Sequence, residues 1–379
     1  MELGKRSGRI IASAMMLAFF PGAATAASFG KENEKINLVV GYQPYYTEAW
    51  SGVVNNGKKF WKKYLPEGST ASFQVGLQGA VIVNSMTGEK QHIGYVGDMP
   101  GIVATFQSEP SRGGTDIRIV GVLGTSKQQC NVFLVRNEAP EFKSGREAVA
   151  WMDEKIVALP QGSCTDRFAR LAFEKASIKP YRYLNQNIEV ITSNFRVGKL
   201  DAAVVWEPTA SKIEQMGLAR RASSGEDFNV IDGGLLIMLN DLIEQRPDVV
   251  RAWMESELES QLFLADLANA SEVIDMVEAQ TEKIDRATIW NALYGASPSE
   301  QGGGEVKLQL DFVVNERVRT LIDDATAFLH SLPSKPASSP TIRANSVDDS
   351  IARQVLEDRG LASPVGLIKA QPVTSAGNY

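Results

Sequence analysis

The side chains best suited to bind a small molecule lie in loops that directly follow apolar runs. Gln43 and Tyr45 come after the run 36–40, and Trp50 stands about one turn into the next predicted helix. Loop aromatics offer flat, rigid faces to a small molecule, and amides both donate and accept hydrogen bonds. This loop therefore predicts binding of a small polar molecule, with at least one of its aromatic rings packed inward.

Three further loops carry a polar group after a predicted strand. Gln78 follows the second strand, Asp98 the third and Thr125 the fourth. In open α/β sheets, ligands bind at the carboxyl ends of the strands, where these side chains are expected to lie. Asp98 suits two roles equally well, because a carboxylate caps a helix N-terminus as readily as it contacts a ligand.

The second half of the sequence supplies its own candidates. Ser163, Cys164 and Thr165 lead into a predicted helix, whose free amide N–H groups and dipole attract a sulfonate, carboxylate or nitrate. Ser163 also fits the role of a plain N-cap. Trp206 and Glu207 end a later strand and place an indole and an acid at the same edge.

Two carboxylates among these candidates, Asp98 and Glu207, disfavour a bare anion and suit a ligand with an ammonium group, which aromatic faces also attract. A zwitterion with an oxyanion at one end and an amine at the other satisfies both halves. Glu207→Gln is then expected to weaken binding by about 1–3 kcal/mol, the scale of a lost charged hydrogen bond.

Catalysis is poorly supported by the same residues. The chain has two histidines, His92 inside a predicted strand and His330 at the end of a predicted helix, so Cys164 lacks a nearby base. No metal-ligand cluster, phosphate-binding glycine loop or G-x-S-x-G motif occurs in the sequence. We expect a binding protein without enzymatic activity, cofactor or metal.

The elements that must position these loops alternate in the manner of a βαβ protein. Pro247 opens a long helix whose apolar face carries Val250, Met254, Leu258 and Leu262, and the segment 284–332 is predicted to be mainly helical. Strands are predicted at 36–40, 73–75, 92–96, 117–122, 131–135, 156–159, 202–206 and 234–239, and helices at 47–63, 79–87, 99–106, 145–152, 164–176, 188–198 and 208–216.

The length of 379 residues suits about two domains at ~100–200 residues each. We predict an α/β protein with a ligand cleft between two lobes. The first lobe is expected at 28–126 and 227–332, the second at 127–226, and a tail at 333–379 is expected to pack on the first.

The N-terminus has the order of a cleaved secretory signal over residues 1–27. Lys5, Arg6 and Arg9 precede an uncharged apolar stretch, and the small residues Ala24 and Ala26 form an A-x-A site. Export to the periplasm is therefore expected. That compartment permits one disulfide between Cys130 and Cys164, although two separate buried thiols fit as well.

The net charge of −6, without a basic cluster, argues against nucleic acid as a partner. A monomer with a small-molecule ligand is expected.

The sequence resembles the nitrate, sulfonate and taurine family of periplasmic solute-binding proteins, relatives of the thiamine-precursor binders, over about residues 34–360. The resemblance is carried by "INLVVGYQPYY", "QHIGYVGDMP", "KIVALPQGSCTDRFARLAF" and "LDAAVVWEPTAS". It implies the two-lobed type II periplasmic-binding fold, closure on a ligand, and delivery to an ABC permease and ATPase complex in the inner membrane. Its binding positions fall on Gln43, Tyr45, Gln78, Asp98, Ser163 to Thr165, Trp206 and Glu207.

Three alternatives remain open from the sequence. A cationic or heterocyclic amine of the thiamine-precursor type suits the acids and aromatics. The same cleft also serves a ligand-binding partner of a membrane sensor. An enzyme on this fold is the third, disfavoured by the two isolated histidines.

Overall fold

A computed structural model describes residues 28–107, 115–180 and 182–372. The predicted signal segment, residues 1–27, and the end of the predicted tail, 373–379, lie outside the described residues. Within the described ranges, no helix combines the length and the apolar character needed to cross a bilayer.

Strands from both halves of the chain build a seven-stranded sheet, which with its helices forms lobe 1. The sheet has the order β12-β11-β4-β10-β3-β1-β2. Strand β1 is parallel to β2 and β3, whereas β10 runs antiparallel to β3 and β4. Its strands are β1 (Asn37–Tyr42), β2 (Thr70–Val75), β3 (Ile93–Gly97), β4 (Ile117–Ser126), β10 (Asp232–Leu239), β11 (Val306–Leu310) and β12 (Gly366–Lys369).

A smaller, five-stranded sheet forms lobe 2 in the order β7-β6-β8-β5-β9. Strand β6 is parallel to both its neighbours, and β5 is antiparallel to β8 and β9. The parallel strands bring their carboxyl ends to one edge, as in lobe 1. Its strands are β5 (Val132–Val135), β6 (Ile156–Leu159), β7 (Arg182–Asn185), β8 (Ala202–Val205) and β9 (Arg220–Ser224).

Helices cover both sheets. Four of the described helices pack in lobe 2: α5 (Gly145–Trp151), α6 (Cys164–Ala176), α7 (Ile188–Arg196) and α8 (Thr209–Gln215). The others belong to lobe 1: α1 (Trp50–Lys58), α2 (Trp61–Tyr64), α3 (Gly79–Thr87), α4 (Asp98–Gln107), α9 (Asn240–Gln245), α10 (Pro247–Ala265), α11 (Ala270–Gln280), α12 (Arg286–Leu293), α13 (Glu316–Ser331) and α14 (Ser350–Asp358). The fold is the predicted α/β architecture with two lobes.

Two details of the predicted elements are wrong. The helix predicted at 47–63 is divided, because Lys59 adopts a left-handed φ of 58° and separates α1 from α2. Leu262 does not share the buried face of α10, since its side chain is 39% exposed whereas Val250, Met254 and Leu258 are buried. On a helix with 3.6 residues per turn, each step of four residues passes one full turn by about 40°. Leu262, the fourth residue of the series, is therefore rotated out of the buried face.

The chain crosses between the lobes in two neighbouring segments, 127–131 and 225–231. The Gly225 amide donates to the Lys127 carbonyl at 2.8 Å, and the Asn131 side chain donates to the Val230 carbonyl at 3.1 Å. These bonds hold the two interlobe connections side by side.

The C-terminal segment packs on lobe 1. Val347 forms a bridge with Ile119 of β4, and β12 extends the sheet beyond β11. Arg359, just after α14, forms an ion pair of 2.7 Å with Glu255 of α10. The sheet edge at β11 is thereby covered.

A buried carboxyl group in lobe 1 predicts a pH-dependent stability. Glu257 accepts hydrogen bonds from the Tyr95 hydroxyl at 2.8 Å and the Gln261 amide at 2.9 Å, and burial raises its pKa to about 7. The folded protein keeps the Glu257 carboxyl group protonated up to about pH 7, whereas the unfolded chain releases the proton near pH 4.5. The contribution of this group to the free energy of unfolding is therefore fully present below pH 4.5 and is lost as the pH rises to 7.

Glu257→Gln is expected to remove this dependence, because an amide does not ionise. The difference in free energy of unfolding between the variant and the wild type should therefore change with pH. From pH 4.5 to pH 8 it should shift in favour of the variant by on the order of 3 kcal/mol. Urea denaturation at both pH values measures the change. Identical pH profiles for the two proteins would contradict the assignment.

Candidate functional site

A cavity of about 250 Å³ lies between the lobes, at the carboxyl ends of the parallel strands. Lobe 1 contributes the loops after β1, β2 and β3, and lobe 2 contributes the loops after β6 and β8. The lining residues are Gln43, Tyr46, Gln78, Gly79, Ala80, Val83, Asn84, Gly97, Asp98, Met99, Pro100, Val103, Gln107, Pro160, Gln161, Gly162, Ser163, Cys164 and Trp206.

Three helices begin at this cavity: α3 at Gly79, α4 at Asp98 and α6 at Cys164. The first turn of a helix has amide N–H groups without an intrahelical acceptor, and the helix dipole makes that end positive. The residues before α3 and α6, Gln78 and Ser163, do not cap these helices with their side chains. Gln78 makes no cap hydrogen bond, and the Ser163 hydroxyl donates instead to the Pro160 carbonyl at 2.6 Å. The starts of α3 and α6 therefore face the cavity from opposite lobes with amides open to a ligand.

Six of the residues predicted from the sequence line this cavity. They come from five separate loops, which the sheet edges of both lobes bring together: Gln43, Gln78, Asp98, Ser163, Cys164 and Trp206.

Four other predicted residues lie outside the cavity lining, each because another contact holds its side chain. Trp50 is fully buried and its indole donates to the Pro44 carbonyl at 2.8 Å. The Thr125 hydroxyl donates to Asp311 at 2.7 Å within lobe 1. The Tyr45 hydroxyl accepts from the Glu282 amide at 2.8 Å, and the buried Thr165 hydroxyl pairs with that of Ser163 at 2.6 Å.

Glu207 also lies outside the lining, and its charge is compensated within lobe 2. Its carboxylate pairs with the Arg221 guanidinium and accepts from the Ser211 amide at 3.0 Å and hydroxyl at 3.1 Å. All of these groups are buried. On the sequence alone, Glu207 favoured an ammonium ligand, but its carboxylate is already paired with Arg221.

Asp98 does line the cavity, and it is paired across the lobes. One carboxylate oxygen accepts from the Met99 amide at 2.7 Å, and the other lies 3.4 Å from the guanidinium of Arg167 on α6. Arg167 also donates to the Ile231 carbonyl at 2.5 Å. Burial raises the pKa of Asp98, and the nearby Arg167 opposes that rise.

Two more buried acids, Glu48 and Asp232, lie close enough to Asp98 to interact with its charge. Burial, and then the charge of Asp232, raise the pKa of Glu48 well above its ordinary value, and burial with the charge of Asp98 does the same for Asp232. Tyr46 lies on the cavity wall, and its hydroxyl group donates a hydrogen bond to the Glu48 carboxyl group. The raised pKa values favour the neutral forms of Glu48 and Asp232, so this group of acids is expected to present less negative charge to the cavity than three ionised carboxylates.

Cys164 is joined by a disulfide to Cys130, with 6.1 Å between the two Cα atoms. The bond ties the first residue of α6 to the first interlobe connection. Cys130, Cys164 and Asp232 are also the only group of three potential metal ligands among the described residues. Thiols spent in a disulfide do not coordinate a metal as thiolates.

Thirteen of the nineteen lining residues were not among the sequence candidates, and five of those thirteen are Tyr46, Asn84, Val103, Gln107 and Gln161. Tyr46 and Gln161 lie in loops that the sequence predicted to contact a ligand, although these two residues were not themselves named as candidates. Asn84, Val103 and Gln107 lie within helices, where no motif marks a surface that faces a cavity.

Comparisons with known proteins agree with this architecture. No sequence profile of a protein family matches the chain. A relative in Brucella abortus strain 2308, which bears the name of a binding protein, is 24% identical over 284 residues, covering 74% of this chain and 80% of the relative.

Among solved structures, the periplasmic aliphatic sulphonate binding protein SsuA of Escherichia coli matches with a TM-score of 0.64 and 19% identity, covering 84% of this chain and 99% of SsuA. The periplasmic nitrate-binding protein NrtA of Synechocystis matches with a TM-score of 0.66 and 15% identity, over 86% and 89% of the chains. The enzyme DszB, in complex with biphenyl-2-sulfinic acid, also matches at 0.59 and 12%, over 85% and 99%. The predicted two-lobed periplasmic-binding fold is confirmed.

Proposed function

We propose that this protein is the extracytoplasmic substrate-binding component of an ABC importer and binds a small organic anion, a sulfonate or a carboxylate. The observation that carries the proposal is the meeting of the α3, α4 and α6 starts at one interlobe cavity. Unpaired amides, at the starts of α3 and α6, and the positive dipole ends of all three helices favour an oxyanion. The ligand would then pass to a permease and ATPase in the inner membrane.

The lobes are proposed to move about the two interlobe connections, segments 127–131 and 225–231, which would act as a double hinge. Residues 28–126 and 227–332 would form one moving body and 127–226 the other, with residues 1–27 removed as an export signal and the mature chain acting as a monomer. The two hydrogen-bonded connections support this division, because the chain passes between the lobes in these segments and a hinge needs only a few residues to change conformation.

Taurine and related zwitterions remain within the proposed ligand class. The Gln43 amide oxygen is buried on the cavity wall and accepts no hydrogen bond from the described residues. It is an acceptor available to an ammonium group on a ligand whose sulfonate sits at the helix starts.

A purely cationic or heterocyclic amine is the second candidate. The observation that favours it is the group of buried acids Glu48, Asp98 and Asp232 beside the cavity. Their raised pKa values and the Arg167 pairing weaken this candidate, because an ionised, unpaired carboxylate attracts an ammonium ligand most strongly.

An enzymatic role has little support from the groups available. His92 accepts from the Val39 amide at 3.2 Å and packs against Phe29 in lobe 1, and His330 contacts the Ala337 carbonyl. Neither histidine lines the cavity, and the Cys164 sulfur is in a disulfide.

Calorimetric titration of the purified mature protein tests the proposal. Ethanesulfonate, taurine, propionate, nitrate and ethylammonium are compared at pH 7 and constant ionic strength. We expect at least one sulfonate or carboxylate to bind tenfold or more tightly than ethylammonium. Tight binding of ethylammonium without binding of any anion would select the amine candidate instead.

A further inference from the structure

Three acidic side chains of lobe 1 and one basic side chain of lobe 2 are buried together where the lobes meet. Glu48 lies in the loop after β1, Asp98 begins α4, and Asp232 begins β10, directly after the second interlobe connection. Arg167 belongs to α6 of lobe 2. All four residues are at most 3% exposed. We name these four residues the interlobe acid cluster.

The segment that carries Glu48 packs against β10 and so brings two of the acids together. A Cβ atom built on Gly234 would stand 3.3 Å from the Glu48 Cβ atom. The Tyr46 hydroxyl, which donates to Glu48, lies 3.5 Å from the Gly233 carbonyl oxygen. These two glycines directly follow Asp232 in β10. The carboxyl groups of Glu48 and Asp232 are therefore near enough to interact through their charges.

Hydrogen-bond donors to these acids are scarce. Both carboxyl oxygens of Asp232 and one of Glu48 are buried without a well-formed hydrogen bond from the described residues. Asp98 is better supplied, because it accepts from the Met99 amide at 2.7 Å and lies 3.4 Å from the Arg167 guanidinium. One cation therefore serves three carboxyl groups, and it is closest to Asp98.

Ionisation of all three acids would leave negative charge buried without a partner, which is strongly unfavourable. Burial, followed by the charges of the neighbouring acids, raises the pKa of both Glu48 and Asp232 well above the ordinary value, and Arg167 opposes the rise only in part. Burial also raises the pKa of the adjacent Tyr46, which stays neutral. The disulfide of Cys164 lies beside Asp232 and does not titrate. The buried cluster therefore favours bound protons.

Movement of the lobes would change the surroundings of these acids. Asp98 and Tyr46 line the ligand cavity, and Arg167 reaches Asp98 from the opposite lobe. Separation of the lobes about the proposed hinge would carry Arg167 away and let water enter beside the acids. A hydrated carboxyl group has a pKa of about 4 and is ionised at neutral pH. The separated lobes would thus hold fewer protons than the joined lobes.

We infer that ligand binding is coupled to proton uptake, and that closing the lobes on an anion transfers about one proton from solution to the interlobe acid cluster. The inference rests on the proposed function and adds the proton to it as a second, linked ligand. The charge of a bound anion acts in the same direction, because it disfavours ionised carboxylates nearby. Affinity should be highest at low pH and should fall as pH rises, about tenfold per pH unit for each proton taken up.

Two titrations test the coupling with the tightest binder among ethanesulfonate, taurine, propionate and nitrate. Calorimetry in cationic buffers, which do not compete as anions, should give an affinity about tenfold higher at pH 6 than at pH 8. Addition of the same anion to unbuffered protein at pH 6.5 should raise the pH. The acid needed to restore the pH should correspond to about one proton per protein.

Variants assign the proton to the cluster. Asp232→Asn and Glu48→Gln each replace a carboxyl group by a neutral amide of the same shape. Each should lower the number of protons taken up by about half, and the double variant should bring it close to zero. Glu257→Gln is the matched control, because Glu257 is equally buried but its partners Tyr95 and Gln261 lie with it in lobe 1. Its proton count should equal that of the wild type.

The outcomes separate the inference from the proposed function. Binding of an anion with equal affinity at both pH values and without proton uptake would overturn the inference and leave an anion-binding protein. Unchanged uptake in folded Asp232→Asn and Glu48→Gln proteins would overturn it as well, because other groups would then take up the proton. Failure of every anion in the panel to bind would overturn the proposed function, on which the inference depends.

Discussion

Arg221→Met is expected to reduce the free energy of unfolding by about 3–5 kcal/mol, the usual effect of removing one partner of a buried ion pair. The substitution keeps most of the side-chain volume but leaves the Glu207 carboxylate buried without its guanidinium. Arg221 also pairs with Glu214 at 3.2 Å, and that contact is lost as well. Urea denaturation at pH 7 gives the free energy directly.

Two controls separate the ion pair from general damage. The double variant Arg221→Met with Glu207→Gln should recover much of the loss, because the buried charge of Glu207 is then removed together with its partner. Arg182→Met, at an exposed position on the edge strand β7, should change stability by no more than about 0.5 kcal/mol. Equal losses in the single and double variants would contradict the ion-pair account.

Glu207→Gln carries a second consequence. Since Glu207 does not line the cavity, its folded variant should bind the ligand as the wild type does, rather than 1–3 kcal/mol more weakly as a direct contact would require. Titration of that variant with the best ligand of the panel decides between the two.

The disulfide provides the other large expected effect. Replacing both Cys130 and Cys164 by serine should lower the free energy of unfolding by about 4 kcal/mol, the loop-entropy estimate for a closed loop of this length, since the cysteines are 34 positions apart. The same change should weaken ligand binding, because the bond tethers the start of α6 at the cavity. Thermal unfolding and titration of the double variant measure both effects.

Alkylation provides the control for that prediction. Without reductant, the wild-type mass should be unchanged by an alkylating reagent, and with reductant two groups should be added under denaturing conditions. Addition of two groups to the unreduced, denatured protein would show free thiols and remove the basis for the expected loss.

The sequence predicted the central strands well because their residues are apolar on both faces. Strands β1, β3, β4, β8 and β10 are buried nearly throughout and read as continuous apolar runs. Strand β9 reads RRASS and was not predicted, because its burial arises from β5 and from the loop around Gly302 rather than from its own composition. Edge strands β7 and β12 are short and half exposed, and were missed for a similar reason.

The site was predictable only in part. Loops after strands were found, since topology alone brings the carboxyl ends of parallel strands to one edge. The role of Glu207 was not predictable, because its partner Arg221 lies on the next strand and no local pattern joins the two.

The most direct test of the central claim is a crystal structure of the mature protein with a bound alkanesulfonate. The account predicts sulfonate oxygens about 3 Å from backbone amide nitrogens at the starts of α3 and α6, with the ligand enclosed between both lobes. A sulfonate bound elsewhere on the surface, with the cavity filled by water or by an amine beside Asp98, would contradict it.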